Sequence, residues 1–212
     1  MKKLRISAPY LLGMIMLLAS CESTDTANVS FVTTYPVIEL EGDEIMVLGL
    51  GSDYTEPGAV ATVGEEEIAL ETEGTVDPDT PGVYPVNYTA SNSDGYSRTA
   101  TRQVVIYDPE TDAVDLSGSY IRAATGVTVT VTKIGPSTYH INDAGGLGEI
   151  FLDVTFVHTE GDELVVPRQV APSSGITVSS IPGTGTITDT GFQWQLNASS
   201  TYGTALRVFT KL

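Results

Sequence analysis

The sequence predicts an all-β protein: a β-sandwich followed by a small antiparallel β-barrel or sandwich. Two observations carry this. Beyond the first twenty residues the chain is dominated by Thr, Val, Gly, Ser and Tyr, the composition of strands joined by tight turns. Short alternating apolar runs recur, with turn signals at about 8–12-residue spacing, the rhythm of a sandwich or barrel. No run of ten or more residues in this part carries a helical pattern.

The first twenty residues read as an address. Lys2, Lys3 and Arg5 form a positive start, and Leu11 to Leu18 an apolar stretch of the length a secretory signal needs. That stretch is shorter than the ~20 apolar residues of a membrane-spanning helix. Ala19 and Ser20 then precede Cys21, the sole cysteine of the chain. The arrangement resembles the bacterial lipobox, which implies cleavage before Cys21 and lipidation of its thiol. Residues 1–20 are therefore expected to be a lipoprotein signal peptide and 21–34 a lipidated tether, with the membrane as a partner through Cys21. Acyl chains contribute about 0.8 kcal/mol per buried methylene, so two or three of them anchor stably. Glu22-Ser23-Thr24-Asp25 resembles, in part, the acidic surface-export signal of Bacteroidota lipoproteins. These resemblances imply an outer-membrane protein, lipid-anchored and expected at the cell surface.

Loss of residues 1–20 leaves 192 residues with 7 basic and 27 acidic side chains, a formal charge of −20. Such a surface repels nucleic acid, which is excluded as a partner. With Cys21 lipidated no disulfide is available, so packed cores must supply stability.

Residues 35–108 form the first unit. Val37–Leu40 and Ile45–Leu48 are short strands around a Glu41–Glu44 turn, and Pro57-Gly58 and Pro81-Gly82 mark further turns. From Val83 to Ala90 the chain alternates, with Tyr84, Val86, Tyr88 and Ala90 on one face. Asn92–Gly95 turns into a last strand, Ser97–Tyr107, which sets Arg102, Val104 and Ile106 on one face. The stretches Asp53–Ala59 and Asp77–Ala90, with its Thr80-Pro81-Gly82-Val83-Tyr84 turn, and Thr101–Ile106 resemble the bacterial Ig-like domain family, which includes hyaline-repeat-like modules and those of some pesticidal crystal proteins. The resemblance implies a seven-stranded sandwich serving as spacer or interaction module. Asp108–Asp112 reads as the linker.

Residues 115–212 form the second unit, opened by Gly118-Ser119-Tyr120. Val127–Thr132 alternates strictly. Thr138–Asn142, Ile150–Val157, Leu164–Pro167, Gly175–Ser180, Gly183–Thr188, Phe192–Asn197 and Ala205–Thr210 follow as strands, with Gly145–Gly148 a flexible loop. The closing C-terminal strand suits a barrel. Tyr139–Gly146 and the Thr-rich strand before it resemble the C-terminal domain, without assigned activity, of a group of Bacteroidota surface lipoproteins. Such proteins often accompany glycan- or nutrient-import systems.

No catalytic residues emerge, and no cofactor or metal is expected. His140 and His158 each stand without a second ligand at metal spacing and read as surface residues. Asp77 with Asp79, and Asp43 with Glu44, read as solvated turns; they lack the loop pattern of a calcium site. Trp194 shares a face with Phe192 and Leu196 and reads as core. The opposite face, Gln193, Gln195 and Asn197, carries amides able to bond sugar hydroxyls in both directions. Tyr96, Tyr120 and Tyr202 stand near turns and complete the candidate ligand contacts. The functional expectation is a non-catalytic accessory of an import system that binds a glycan or nutrient, with a glycan or an outer-membrane protein as partner. The alternative is a structural or adhesive protein–protein module. A hydrolase has only unpatterned acids behind it.

Overall fold

A computed structural model describes residues 33–148, 151–198 and 202–212. The signal, tether and Cys21 lie outside the described residues, apart from residues 33 and 34.

The first domain contains β1 (Val37–Leu40), β2 (Ile45–Gly49), β3 (Ala59–Val63), β4 (Glu66–Glu67), β5 (Leu70–Glu73), β6 (Gly82–Ser91) and β7 (Ser97–Tyr107). They form two sheets, β1-β3-β4 and β2-β7-β6-β5, which is the expected seven-stranded sandwich. β6 and β7 make a long hairpin, in register from Gly82 opposite Ile106 to Ser91 opposite Ser97. Its turn is set by Asn92, whose side chain accepts from the Asp94 and Tyr96 N–H groups, and by Gly95 at φ +85°. β2 joins β7 in parallel. Val86, Tyr88, Val104 and Ile106 form the core, covered by Ile38, Leu40, Met46 and Leu48.

Over its second half β7 departs from the half-buried pattern. Gln103 and Val105, on its outer face, are buried along with Arg102, Val104 and Ile106. The second domain covers that face: β7 lies against β11 (Val154–His158), whose outward Val157 is also fully buried.

The linker is structured. Pro109–Ala113 is a 3-10 helix, with the Asp108 side chain accepting from the Glu110 N–H and Pro at its start. Asp108 N–H donates to Thr159 O (2.7 Å), and Thr111 Oγ1 lies 2.7 Å from Ser137 Oγ. Asp112 accepts from the Ser137 N–H (2.8 Å) and pairs with Lys133 (2.7 Å). The linker thus pins Ser137, a buried non-glycine residue at φ +48° in the turn between two barrel strands.

The second domain comprises β8 (Gly118–Arg122), β9 (Thr128–Gly135), β10 (Thr138–Ile141), β11, β12 (Leu164–Val165), β13 (Gln169–Ala171), β14 (Ile176–Ser180), β15 (Thr186–Thr188), β16 (Gly191–Trp194), β17 (Leu196–Asn197) and β18 (Arg207–Lys211). Eight strands form one antiparallel sheet, β12-β11-β10-β9-β8-β18-β16-β15. It curls into a nearly closed barrel: Glu163 bridges Thr186, Leu164 N–H donates to Gly185 O (3.0 Å) and Ile187 N–H to Asp162 O (2.8 Å). Close approach at this seam requires Gly185, where a Cβ would lie 1.9 Å from Leu164 O. The C-terminal β18 seals between β8 and β16, as the sequence predicts. The barrel is filled by aromatic rings. Trp194 packs between Phe156 (5.3 Å between ring centroids), Phe192 (4.8 Å) and Phe209 (5.7 Å), and donates its Nε1–H to Ala144 O (3.0 Å). A three-stranded sheet, β13-β14-β17, flanks the barrel.

Candidate functional site

The six ligand contacts expected from sequence do not converge. Tyr120 is a correction: it is 1% exposed, inside the barrel, edge-on to Phe192, with its hydroxyl donating to Leu116 O (2.7 Å). Burial, then the nearby Asp115 carboxylate, pushes its phenol up to about 12. Tyr202 is a second correction, at 7% exposed and part of the same core. Both stand near turns, yet strand alternation and loop closure direct their rings inward. The amide row is broken too. Gln193 is half-buried in the ladder between Thr186 and Val208. Gln195 sits where the chain leaves the barrel sheet, its Nε2 donating to Thr204 O (2.8 Å) and its O accepting from the Ile181 N–H (2.9 Å). Asn197 is exposed but belongs to the other sheet, opposite Ser179. Tyr96 is open to solvent on the first domain, its ring 5.2 Å from that of exposed Tyr35.

The histidines divide. His140 is half-buried, whereas His158 is buried, contrary to expectation, with Nε2 donating to Gly161 O (2.6 Å). Asp77 accepts from the Asp79 N–H and the Thr80 hydroxyl, as a solvated turn does. Among the described residues no group of side chains suits a metal ion.

One concavity, of about 420 Å³, lies on the second domain between Asp115, Ile187, Asp189 and Lys211; others lie between the two domains. After β12 the chain continues through buried Val166 and Pro167 to exposed Arg168 and buried Gln169. Gln169 is 8% exposed and stands in for a strand partner. Its Oε1 accepts from the Thr155 N–H (2.8 Å), while its Nε2 donates to Thr155 O (2.7 Å) and Pro167 O (3.0 Å). Extended backbone then turns the neighbouring Arg168 out to solvent. Arg168 borders a cleft of about 300 Å³ whose other walls include Val83 and Gln103 of the first domain and Val166, Ser179 and Pro182 of the second. That volume is at the small end of ligand pockets, which join an apolar wall to a few placed polar groups. A second interdomain concavity, of about 430 Å³, sets Arg168 against Leu40, Glu44 and Thr101. A third, of about 340 Å³, sets Glu44 against His140, Asp153 and Gln169. Shared Arg168 and Glu44 make the three neighbours along one interdomain groove. Sequence reasoning missed this groove, and the only signal for it is the Pro167–Pro172 pair bracketing Arg168.

This groove sets a few polar groups against apolar walls. Arg168 offers a fork of donors, Gln103 both donor and acceptor, and Glu163 an acceptor, against Val83, Val166 and Pro182. Ser180 Oγ, also in the cleft, is committed to the Val166 backbone, accepting from its N–H at 3.0 Å.

Comparison with known proteins settles the first domain. Residues 38–106 match the family described as bacterial surface protein, Ig-like domain. The first domain is an Ig-like domain. Among solved structures, a lipoprotein from Bacteroides thetaiotaomicron is 24% identical, with a TM-score of 0.39 over 84% of this chain and 100% of that one. The M60 catalytic domain of Clostridium perfringens ZmpB, with its two CBM51 domains, is 13% identical, with a TM-score of 0.31 over 74% of this chain and 15% of that one. No curated protein matches the chain.

Proposed function

We propose that this protein is a lipid-anchored cell-surface accessory of the outer membrane that binds a glycan, without catalysis, in the groove between its Ig-like domain and its barrel. The observation that carries the reading is Arg168, held outward by the buried Gln169 side chain over a cleft walled by both domains. The lipobox-like sequence ending at Cys21 and the match to a bacterial surface Ig-like domain support this location. Oligosaccharides present hydroxyls to the Arg168, Gln103 and Glu163 set and their apolar ring faces to Val83, Val166 and Pro182. The fastened linker supports a preformed site, which lowers the ordering cost of binding.

Calorimetric titration of the chain from Cys21 onward against neutral and acidic oligosaccharides tests this. Binding lost in both Arg168→Ala and the cleft-filling Val83→Trp is expected. Binding to none of them, or binding untouched by both substitutions, overturns it. The Tyr35–Tyr96 pair favours a second reading, in which the exposed rings of the Ig-like domain hold a protein partner. Retention of an outer-membrane protein that Tyr96→Ala abolishes, with no sugar bound, would establish that instead.

A further inference from the structure

The alternation that sends Tyr120 and Phe209 into the barrel also sends in Arg122 and Arg207, from β8 and β18. Arg122 stands opposite Phe209 and Arg207 opposite Trp194. This is the end of the barrel away from the linker, which fastens to Ser137 and Thr159. Arg122 is 7% exposed and Arg207 2%. A guanidinium withdrawn from water is destabilising unless its N–H groups are bonded and its charge is opposed.

The bonding is incomplete, and among the described residues neither arginine forms an ion pair. Arg122 donates only through Nη1, to Gly145 O (2.8 Å) and more weakly to Gly146 O (3.4 Å). Arg207 donates to Ala205 O (2.9 Å), Tyr202 O (2.9 Å) and Gly203 O (3.3 Å). The Nε of each is buried without a hydrogen-bond partner. The Nε–Nη2 edge of Arg122, the edge that grips an oxyanion through two parallel bonds, is therefore unused. Asp143 is the neighbouring acid, but its carboxylate accepts from the backbone N–H groups of Gly145 (3.1 Å), Gly146 (2.9 Å) and Gly148 (2.9 Å). It forms no ion pair with either arginine. Among the described residues, two guanidiniums and one carboxylate leave a net positive charge buried here, in a chain whose formal charge is −17. Burial, and then the charge of Arg122, holds the Arg207 guanidinium below its usual range, as an uncompensated pair requires.

We propose that Arg122 and Arg207 form a binding site for one compact oxyanion, a carboxylate, sulfate or phosphate group, at the barrel end opposite the linker. The loop beside it is built for close approach: a Cβ on Gly146, at φ +60°, would lie 2.5 Å from Arg122 Cδ. The oxyanion supplies the acceptors that Arg122 Nε and Nη2 and Arg207 Nε lack, and offsets the surplus charge. This site is separate from the interdomain groove and does not depend on it.

The test follows the arginine Nε–H signals of the ¹⁵N-arginine-labelled chain. Phosphate, sulfate or glucuronate is added in turn against chloride at constant ionic strength. Saturable shifts of the Arg122 and Arg207 signals, with Arg102 unmoved, are expected. Assignment comes from Arg122→Lys and Arg207→Lys, and the unsubstituted chain alone decides should either variant misfold. Saturation by phosphate or sulfate but not glucuronate assigns the site to a free inorganic ion. Tighter saturation by glucuronate assigns it to a carboxylate carried on a larger ligand. No saturable shift with any of the three overturns the site. Shifts that persist in Arg168→Ala separate it from the groove.

Discussion

Arg102 Nε donates to Glu56 Oε1 at 2.8 Å, joining the centre of β7 to the loop before β3 across the interior of the Ig-like domain. Arg102 is fully buried, and its remaining donors reach the backbone oxygens of Glu41, Asp43 and Gly58. Glu56 also accepts from the hydroxyls of Tyr54 and Tyr88. The pair organises two loops and strand β6 around one guanidinium, and each acceptor answers a donor that burial would otherwise orphan. Burial, with the Glu56 carboxylate next in effect, pushes the Tyr88 phenol up to about 12.

Acid should loosen this domain in a defined way. Burial of Glu56 opposes its ionisation, but bonds from Tyr54, Tyr88, the Gly58 N–H and Arg102 outweigh it and hold the carboxyl below its ordinary value. A carboxyl depressed in the fold contributes stability that is complete above its unfolded value, about 4.3, and lost as pH falls through the lower folded value. Urea midpoints measured from neutral pH downward should therefore fall in that window. Glu56→Gln should flatten the fall. At neutral pH it should destabilise by about 2–3 kcal/mol, below a fully buried pair because Glu56 is partly exposed. An unchanged acid profile in the variant would sink the assignment.

Trp194 reports on the barrel. Being the sole tryptophan and fully buried, it should emit at short wavelength in the folded protein and shift to the red on unfolding. Trp194→Ala removes a ring that touches three others and should destabilise by about 3–5 kcal/mol in urea titration.

Closure of the barrel depends on Gly185. A Cβ there meets Leu164 O at 1.9 Å, which is backbone and cannot swing away. Gly185→Ala should lower stability by about 1–3 kcal/mol. It should also speed hydrogen exchange at the Leu164 and Ile187 N–H groups, which bridge the seam. Exchange rates unchanged at both would show that the seam contributes nothing.

Arg168 is exposed and makes no bond that holds the fold. Arg168→Ala should leave the urea midpoint within about 0.5 kcal/mol of the parent while removing glycan binding. Loss of stability together with binding would mark Arg168 as structural.

The anchor has its own check. Metabolic labelling with palmitate should disappear in Cys21→Ala, and persistence of label would end the lipid-anchor proposal.

Local pattern and long-range contact divide the legibility of this chain. Val83–Ala90 and Val127–Thr132 alternate so strictly that their inward faces are plain from the residues, and Phe192, Trp194 and Leu196 fall in the core as their spacing implies. The same rule, carried to Tyr120 and Tyr202, would have needed the position of the strand or loop bearing each, and nearness to a turn misled. Asp108–Asp112 has the composition of a linker, yet Thr111 and Asp112 find partners on Ser137 and Lys133, more than 20 residues away. The amide row of Gln193, Gln195 and Asn197 has a clean period of two. The chain nonetheless changes sheets at Gln195, and no local signal marks that step.

By itself the sequence determined what is set over a few residues: the signal-like start and Cys21, the acidic balance, the strands and turns, and the Ig-like pattern of residues 38–106. Period-two alternation and turn chemistry are short-range properties, so they survive without knowledge of the fold. Tertiary structure alone decided which outward faces meet. It buried Val105 against the second domain, closed the barrel at Gly185 and opened a groove at Arg168. It also brought Arg122 and Arg207, 85 residues apart, to one barrel end, because strand pairing across the chain sets those distances.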